Sequence, residues 1–396
     1  MNFHLNAEAH ALQEQARETF APLKHDRASL RKAVLQEGRF PHEMWDALVA
    51  ADYFRALVPE AHGGNGAGLL GAGLCLEQAG EVAYGNGLPV LTGMVALALT
   101  AGGNAELQAE ILPQIARGEL KCAVGFTEEV SGFNLFRIET TATRDGDAWR
   151  LNGRKVYTSG ADIADYILVV ARTMSPEDLK AAGLPKTMGL SLFLVDANAA
   201  GIGREKMACR GEGGLGTFIT TWDNVAVPDT HRIGEPDQAF MVLFQIVNPE
   251  RILFASFILG LITHCLDTAC AFARERNVFR DTPIGAYQAI QHPLADLRMR
   301  QEALRLVTYK AAWSADANED PMETGFTANS AKYLASGLCL DAVSRAIETL
   351  GGRGFDEQYD LIHLWDMARL FQTTPISPEM ILNFVAEHTL NLPRSY

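Results

Sequence analysis

The hydrophobic period of this chain changes twice: it runs near 3.6 residues to about position 120, near 2 from there to about 235, and near 3.6 again to the end. The first spacing lines one face of a helix and the second one face of a strand. The chain is therefore predicted to fold as helices, then a compact β block, then long helices, an α+β layout with its element types segregated. "AHALQEQARETFAPL" and "HEMWDALVAADYF" carry the first helical pattern, and "LLGAGLCLEQAGEVAYG" and "LPVLTGMVALALTAGG" read as buried helices rich in small residues. "KCAVGFT", "DYILVVART", "GLSLFLVDA" and "GTFITTWDNVAVP" read as strands, with Asp145-Gly146 and Asn152-Gly153 as hairpin-type dipeptides. Residues 174–187 read as a surface insertion. The helical period then fills 239–276 and three further blocks. The predicted segments are an N-terminal helical domain (1–120), a middle β domain (121–235) and a C-terminal helical domain (236–396).

Composition narrows the function. A 48% apolar content supports a large core rather than disorder. With 34 basic against 48 acidic residues the net charge is −14, which gives no electrostatic footprint for nucleic acid. The opening stretch "MNFHLNAEAHALQEQ" has neither the basic region nor the apolar segment of a signal peptide, and no uncharged apolar run of about 18 residues predicts a membrane span. Cys75, Cys122, Cys209, Cys265, Cys270 and Cys339 are scattered without metal-ligand spacing, which suits reduced thiols in a cytoplasmic protein and no bound metal. The Gly-rich stretch at 59–68 follows no strand and precedes no Lys-Ser/Thr, so it reads as a loop and not a phosphate cradle.

One stretch resists a purely structural reading. "IVNPERILFA" (246–255) places Glu250 and Arg251 in an apolar helical run, directly after Pro249. Either a helix begins there, with Asn248 as cap, Pro249 in its first position and Glu250 favoured by the dipole. Or a single helix passes through, with Pro249 bending it and the charged pair facing a cavity.

Six pieces of the chain, in order over more than 300 residues, resemble the acyl-CoA dehydrogenase family. "VPEAHGGNG" is similar to its "PEEYGGxG", and "ILPQIARGELKCAVGFTEE" to its "LPxLAxGExxxxxxxTEP". "TTATRDGDAWRLNGRKVYTSGADIADYILVVART" resembles its flavin-facing β segment. "ARERNVF" and "YQAIQHPLADL" resemble "ARERxxFGxPxxxFQAIxxxLADM", and "ETLGGRGF" resembles "QxxGGxGF". The resemblance implies an N-terminal helical domain, a middle β-barrel-like domain and a C-terminal four-helix bundle. It also implies a homodimer or homotetramer, with FAD held partly by a neighbouring subunit.

It further implies which residues meet the flavin. Phe126 and Thr127 fall at the "TEP" position, Tyr157 on the usual tryptophan beside the ring, and Ser159 on the hydroxyl near N5. Arg276 and Phe279 match the family's "R…F" pair, whose arginine contacts the pyrophosphate of a neighbouring subunit's FAD; Gln288 matches the cofactor-binding glutamine of "FQ", and Gly351 and Gly352 match the "GG" of close backbone approach. Each has an ordinary structural alternative: an exposed strand face for Tyr157 and Ser159, a helix-end arginine for Arg276, a C-cap and turn for the glycines. Gly132 keeps the family's "AGSD" glycine, but Phe133 stands where its serine contacts flavin phosphate or substrate, and Glu348 stands where many members have glutamine. A carboxylate beside a pyrophosphate repels it unless paired or protonated.

The implied reaction is α,β-dehydrogenation of an acyl thioester, carried by CoA or an acyl carrier protein, with electrons passed to an electron-transfer flavoprotein. A carboxylate must take the α-proton, and the site must stabilise the developing enolate oxygen. Short- and medium-chain members take that carboxylate from "YEGT"; here Thr374, Pro375, Ile376 and Ser377 fall on those four positions and none is acidic. Glu379 begins the next helix, where its charge suits the N-terminal dipole. Isovaleryl-CoA and long-chain members use the glutamate of "LERL", and "NPERIL" aligns Glu250 with it. The resemblance thus marks Glu250 as the base and Arg251 as placing flavin or thioester. Pro375 lacks the N–H that polarises the thioester carbonyl in the family, so either the neighbouring Ile376 N–H substitutes or the chemistry is altered. Phe133 and Pro375 also motivate a second class, a flavin oxidase or monooxygenase acting on a non-thioester, and Glu348 a third, a binding protein with a degenerate pocket.

Overall fold

The computed structural model describes residues 4–279 and 281–394. The helices are Ala7–His25 (α1), Arg27–Arg31 (α2), His42–Ala50 (α3), Tyr53–Ala56 (α4), Gly68–Gly80 (α5), Leu88–Gly102 (α6), Ala105–Ala116 (α7), Pro176–Ala181 (α8), Ala239–Glu275 (α9), Gln288–Asp316 (α10), Pro321–Leu350 (α11), Ile362–Leu370 (α12) and Pro378–His388 (α13). The strands are Cys122–Gly125 (β1), Thr141–Asp145 (β2), Ala148–Ser159 (β3), Tyr166–Arg172 (β4), Leu190–Asp196 (β5), Ile202–Lys206 (β6), Thr217–Pro228 (β7), Arg232–Ile233 (β8), Asn277–Phe279 (β9) and Thr282–Pro283 (β10). Several helices start where a side chain accepts an otherwise orphaned N–H: Asn6 from Ala9, Asn104 from Leu107, Ser175 from Asp178 and Asp320 from Met322 and Glu323. Two compact units result, one from residues 1–53, 68–85 and 251–396, the other from 54–67 and 86–250.

The second unit is built on an eight-stranded sheet in the order β6-β7-β3-β2-β4-β5-β8, with β1 added parallel beside β4. One sheet face closes over Trp149, Leu151, Ile167, Val169, Phe193, Trp222 and Val225. Asp145-Gly146 makes the predicted turn: β2 returns as β3 through Gly146 and Asp147, with Gly146 at φ +59°. Asn152-Gly153 does not. It lies inside β3, at an irregularity in the pairing with β7. Gly153 sits at φ +149°, and a Cβ there would lie 2.5 Å from Thr140 Oγ1, so the glycine serves a close approach rather than a reversal. The stretch 174–187 holds the short helix α8, whose Glu177 and Asp178 are exposed and whose Leu179 is buried.

The first unit is helical. In it α5 meets the part of α9 after residue 251 backbone to backbone, glycine against glycine: a Cβ on Gly80 would lie 2.1 Å from the Phe257 carbonyl oxygen, and one on Gly260 1.9 Å from that of Glu77. The small-residue helix "GLLGAGLCLEQAG" is thus explained by backbone approach. A buried polar cluster lies in the same unit. Asp360 accepts from Arg31 Nε at 2.7 Å and from Tyr84 Oη, and the Tyr84 ring stacks on His363 at 4.7 Å. Burial pushes the imidazoles of His264 and His363 down, His264 to about 3 with the Arg27 and His363 charges adding to the effect. His264 Nε2 and His363 Nδ1 have no partner among the described residues.

α9 decides the question raised by "IVNPERILFA": it runs unbroken for 37 residues, so Asn248 is no cap and Pro249 is interior. Pro249 lacks the N–H that would bond the Gln245 carbonyl. Among the described residues α9 alone is long and apolar enough to cross a membrane, and 83% of its most apolar stretch is buried in the protein. Its apolarity is that of a core helix.

Two consequences can be measured. Gly260→Ala forces backbone apart, so denaturant unfolding should show a loss of about 3 kcal/mol; a loss under about 0.5 kcal/mol would refute the close contact. His264 stays neutral when folded, whereas in the unfolded chain it takes a proton below its ordinary pKa near 6.5. Wild-type stability should therefore fall with acid relative to His264→Gln, by about 1.4 kcal/mol per pH unit from 6.5 downward. A constant gap between the two proteins from pH 6.5 to 4.5 would contradict the neutral imidazole.

Candidate active site

The predicted flavin residues of the β unit converge on the end of β1 and a bulge in β3. β1 stops at Gly125, and Phe126 and Thr127 follow it half-buried. Between Lys155 and Thr158, β3 takes three steps while β7 takes two, from Thr220 to Phe218. The extra residue breaks the alternation, so Lys155 and Val156 are both buried and Tyr157 is turned outward. Tyr157 is 59% exposed and sits at φ +57°, a left-handed conformation that bulky side chains rarely adopt. The Val156 N–H, freed from the ladder, donates to the Thr127 carbonyl at 2.9 Å. That carbonyl is the only group of Thr127 engaged among the described residues; its N–H and hydroxyl are available to a ligand. Ser159 ends β3 with its hydroxyl 2.6 Å from that of Thr217. Burial pushes the nearby Glu212 carboxyl up against the lowering effect of its hydrogen bond to Thr217. Gly132 and Phe133 are exposed in the loop after Glu128, Phe133 to 52%.

Sequence reasoning missed what holds these residues. Lys155 is 0% exposed, and its Nζ donates to Glu128 Oε1 at 2.8 Å and to the Phe126 carbonyl at 3.2 Å. Glu128 in turn accepts from the backbone N–H groups of Glu139 at 2.7 Å and Thr140 at 3.0 Å. Arg172 closes the same loop from β4, donating to the carbonyls of Ile138 at 2.9 Å and Phe136 at 2.8 Å. Burial pushes the Lys155 ammonium down to about 8, against the attraction of Glu128. Burial alone would raise Glu128; the Lys155 charge and hydrogen bonds together hold it below the usual carboxylate range. Both groups are therefore charged at neutral pH. Removing one partner would strand a buried charge, at a cost of about 3–5 kcal/mol. The available signal was weak: a lysine on the inward phase of an otherwise alternating strand.

The helical unit carries the remaining candidates. Arg276 follows α9, is exposed, and its carbonyl accepts from Ile284 N, which closes the β9–β10 ribbon. Phe279 ends β9 and is 71% exposed; Gln288 opens α10 and is exposed. Glu348 pairs with Arg345 at 2.8 Å on the solvent face of α11, so it is an exposed ion pair and not a stranded carboxylate. Gly351 is the C-cap of α11 at φ +60°, as the ordinary reading of that glycine required. Gly352 stands in open space, where a Cβ would meet nothing.

Glu250 and Arg251 are both half-buried on α9, about three turns from its start. The stretch 371–377 between α12 and α13 presents no carboxylate. Its Thr374–Pro375 peptide is cis, Pro375 offers no N–H, and the Ile376 N–H has no acceptor among the described residues. Ser377 is the N-cap of α13, accepting from Met380 N at 3.5 Å. Glu379 is exposed in that first turn; the helix-end N–H and the Ser377 hydroxyl draw its carboxyl below the ordinary range, as a dipole residue requires. Among the described residues no group of His, Cys, Asp and Glu could hold a metal ion, and the six cysteines are free.

Known proteins resemble this chain over nearly its whole length. Three family descriptions match in sequence: acyl-CoA dehydrogenase N-terminal domain over residues 6–119, middle domain over 123–225, and C-terminal domain over 240–390. The acyl-CoA dehydrogenase FadE12 of Mycobacterium tuberculosis is 35% identical over 360 residues, 89% of each chain. The CarC subunit of the caffeyl-CoA reductase-Etf complex of Acetobacterium woodii is 29% identical over 342 residues, 85% of this chain and 87% of CarC. Among solved structures, a glutaryl-coenzyme A dehydrogenase in complex with glutaryl-CoA superposes with a TM-score of 0.90 at 27% identity, covering 100% of this chain and 98% of that one. Butyryl-CoA dehydrogenase from Megasphaera elsdenii superposes at 0.88 with 22% identity over 98% of this chain and 100% of its own, a likeness of fold.

Tyr157 occupies its strained conformation without being buried, so stability does not explain it. Tyr157→Gly should leave the unfolding free energy of the cofactor-free protein unchanged or raise it by up to about 1 kcal/mol. A loss of more than about 1 kcal/mol by denaturant titration would show that Tyr157 serves the fold.

Proposed function

This chain belongs to the acyl-CoA dehydrogenase family, and we propose that it removes the α- and β-hydrogens of an acyl-CoA thioester with Glu250 as the base. The carrying observation is one of position. Glu250 is half-buried within the unbroken α9, whereas the 371–377 stretch, where other members keep their glutamate, holds none. Its carboxylate takes the α-proton, and Arg251, next in the helix, orients the flavin or the thioester.

The residues present fit FAD. The outward Tyr157 offers an aromatic face, and the unengaged Thr127 N–H and hydroxyl offer one donor and one donor–acceptor beside it. Phe126 and Ser159 lie at the ends of β1 and β3, and Gly132 and Phe133 in the loop that follows β1. When bound, FAD supplies the acceptor for the β-hydrogen, which leaves as a hydride. The Ile376 N–H is the backbone donor left to hold the thioester oxygen next to Pro375. Arg276, Phe279, Gln288, Gly351 and Gly352 are all exposed in the single chain, which supports their serving the flavin of a second copy in a homodimer or homotetramer, with Glu348 just before the glycines and Ser377 at the start of α13 as further contacts.

The same reading extends to organisation and partners. Residues 1–120, 121–235 and 236–396 act as N-terminal helical, middle β and C-terminal helical domains. Electrons leave to an electron-transfer flavoprotein, a partner class that the name of CarC carries. The thioester carrier is CoA, which the names of FadE12 and of the superposed dehydrogenases share. A cytoplasmic location accords with the six free cysteines.

Glu250→Gln keeps the size of the side chain and removes its basicity. The variant should bind FAD like the wild type and lose at least about 100-fold in acyl-CoA dehydrogenation. A flavin-loaded Glu250→Gln protein with full activity would exclude Glu250 as the base.

A further inference from the structure

We propose that the buried Lys155–Glu128 pair is a positioning device that fixes Phe126, Thr127 and Tyr157 relative to one another as the flavin-contacting edge of the β unit. This rests on the flavin enzyme read above. The pair joins two segments remote in sequence, the loop after β1 and the bulge of β3. Lys155 reaches across to the Phe126 carbonyl and to Glu128, two residues beyond it. Val156, next to Lys155, bonds Thr127 between them. Glu128 draws in the far end of its own loop through Glu139 N and Thr140 N, and Gly153 lets Thr140 lie against β3. Tyr157 sits two residues past Lys155, on the bulge of β3 that begins there.

Stability does not account for the choice of charged groups here. A buried ion pair is often no more stabilising than well-packed apolar residues of like volume. What an apolar pair lacks is direction. Five donor–acceptor contacts with fixed geometry hold these segments: two from Lys155, two to Glu128 and the Val156–Thr127 bond. Apolar contact tolerates sliding, whereas a displacement of about 1 Å between an aromatic face and a hydrogen-bonding group beside a cofactor is felt in rate.

The test uses the full-length flavoprotein and three readouts: thermal midpoint, FAD dissociation constant with the visible flavin spectrum, and turnover. Lys155→Met strands the Glu128 charge and should lower the midpoint, weaken FAD at least about tenfold and perturb its spectrum. The double variant Lys155→Met/Glu128→Gln removes both charges. It should recover most of the midpoint while FAD binding stays weak and kcat stays about 10–100-fold down. If the double variant recovers the midpoint, FAD affinity and kcat together, the pair is structural and the proposal fails. If Lys155→Met binds FAD with wild-type affinity and spectrum, it fails as well. Wild-type protein that takes up no FAD would instead remove the flavin reading itself, and the proposal with it.

Discussion

A lysine with no exposed surface, bonded to a glutamate almost as deeply buried, is the constraint from which the β unit's working edge follows. Lys155 falls on the regular inward phase of β3, in line with Trp149 and Leu151, and there it meets Glu128. Directly after it β3 carries one extra residue against β7, so Val156 is buried as well. The extra residue puts Tyr157 outside, in a left-handed conformation. The loop from Phe126 to Thr140 is held along its length by Lys155, by Glu128 and by Arg172. The carbonyls of Phe126, Thr127, Phe136 and Ile138 and the amides of Glu139 and Thr140 are engaged, while Gly132 and Phe133 at its tip remain exposed.

The helical unit depends on a different economy. Gly80 and Gly260 let α5 and α9 approach until only backbone separates them. That contact fixes the part of α9 that begins at Arg251. Pro249 interrupts one hydrogen bond of α9 without ending it, because the apolar faces before and after it are buried and hold the helix together. The result is a carboxylate and a guanidinium at consecutive positions of a core helix. Such groups are disfavoured there unless partnered or used. In a family whose reaction needs one carboxylate, and in a chain whose 371–377 stretch has none, Glu250 is the group we propose for the task.

Much of this was legible in the sequence, and the failures have identifiable causes. The two changes of period separated helical from β segments because amphipathic spacing is set by burial, which the fold then respects. Asp145-Gly146 was a turn, as its dipeptide type suggested. Asn152-Gly153 has the same local chemistry, but tertiary packing against Thr140 used its glycine for close approach instead. Asn248 and Pro249 carry cap signals that a local reading cannot discount; burial of Val242, Leu243 and Ile246 before them and of Ile252 to Ala255 after them overrode those signals. Lys155 was invisible because a lysine in a strand is usually solvated, and its partner lies 27 residues away. Gly351 shows the opposite limit: its motif match and its ordinary role as a C-cap coincide at one residue, so position alone does not separate them.

The central claim is that this chain oxidises acyl-CoA thioesters through bound FAD. Anaerobic titration of the FAD-loaded protein with a panel of saturated acyl-CoAs, followed by the visible flavin absorption, tests it most directly. The account predicts bleaching by at least one member of the panel, with the matching enoyl-CoA recovered. A flavin that stays oxidised with every acyl-CoA, yet is reduced by a non-thioester substrate and rapidly reoxidised by oxygen, would contradict it.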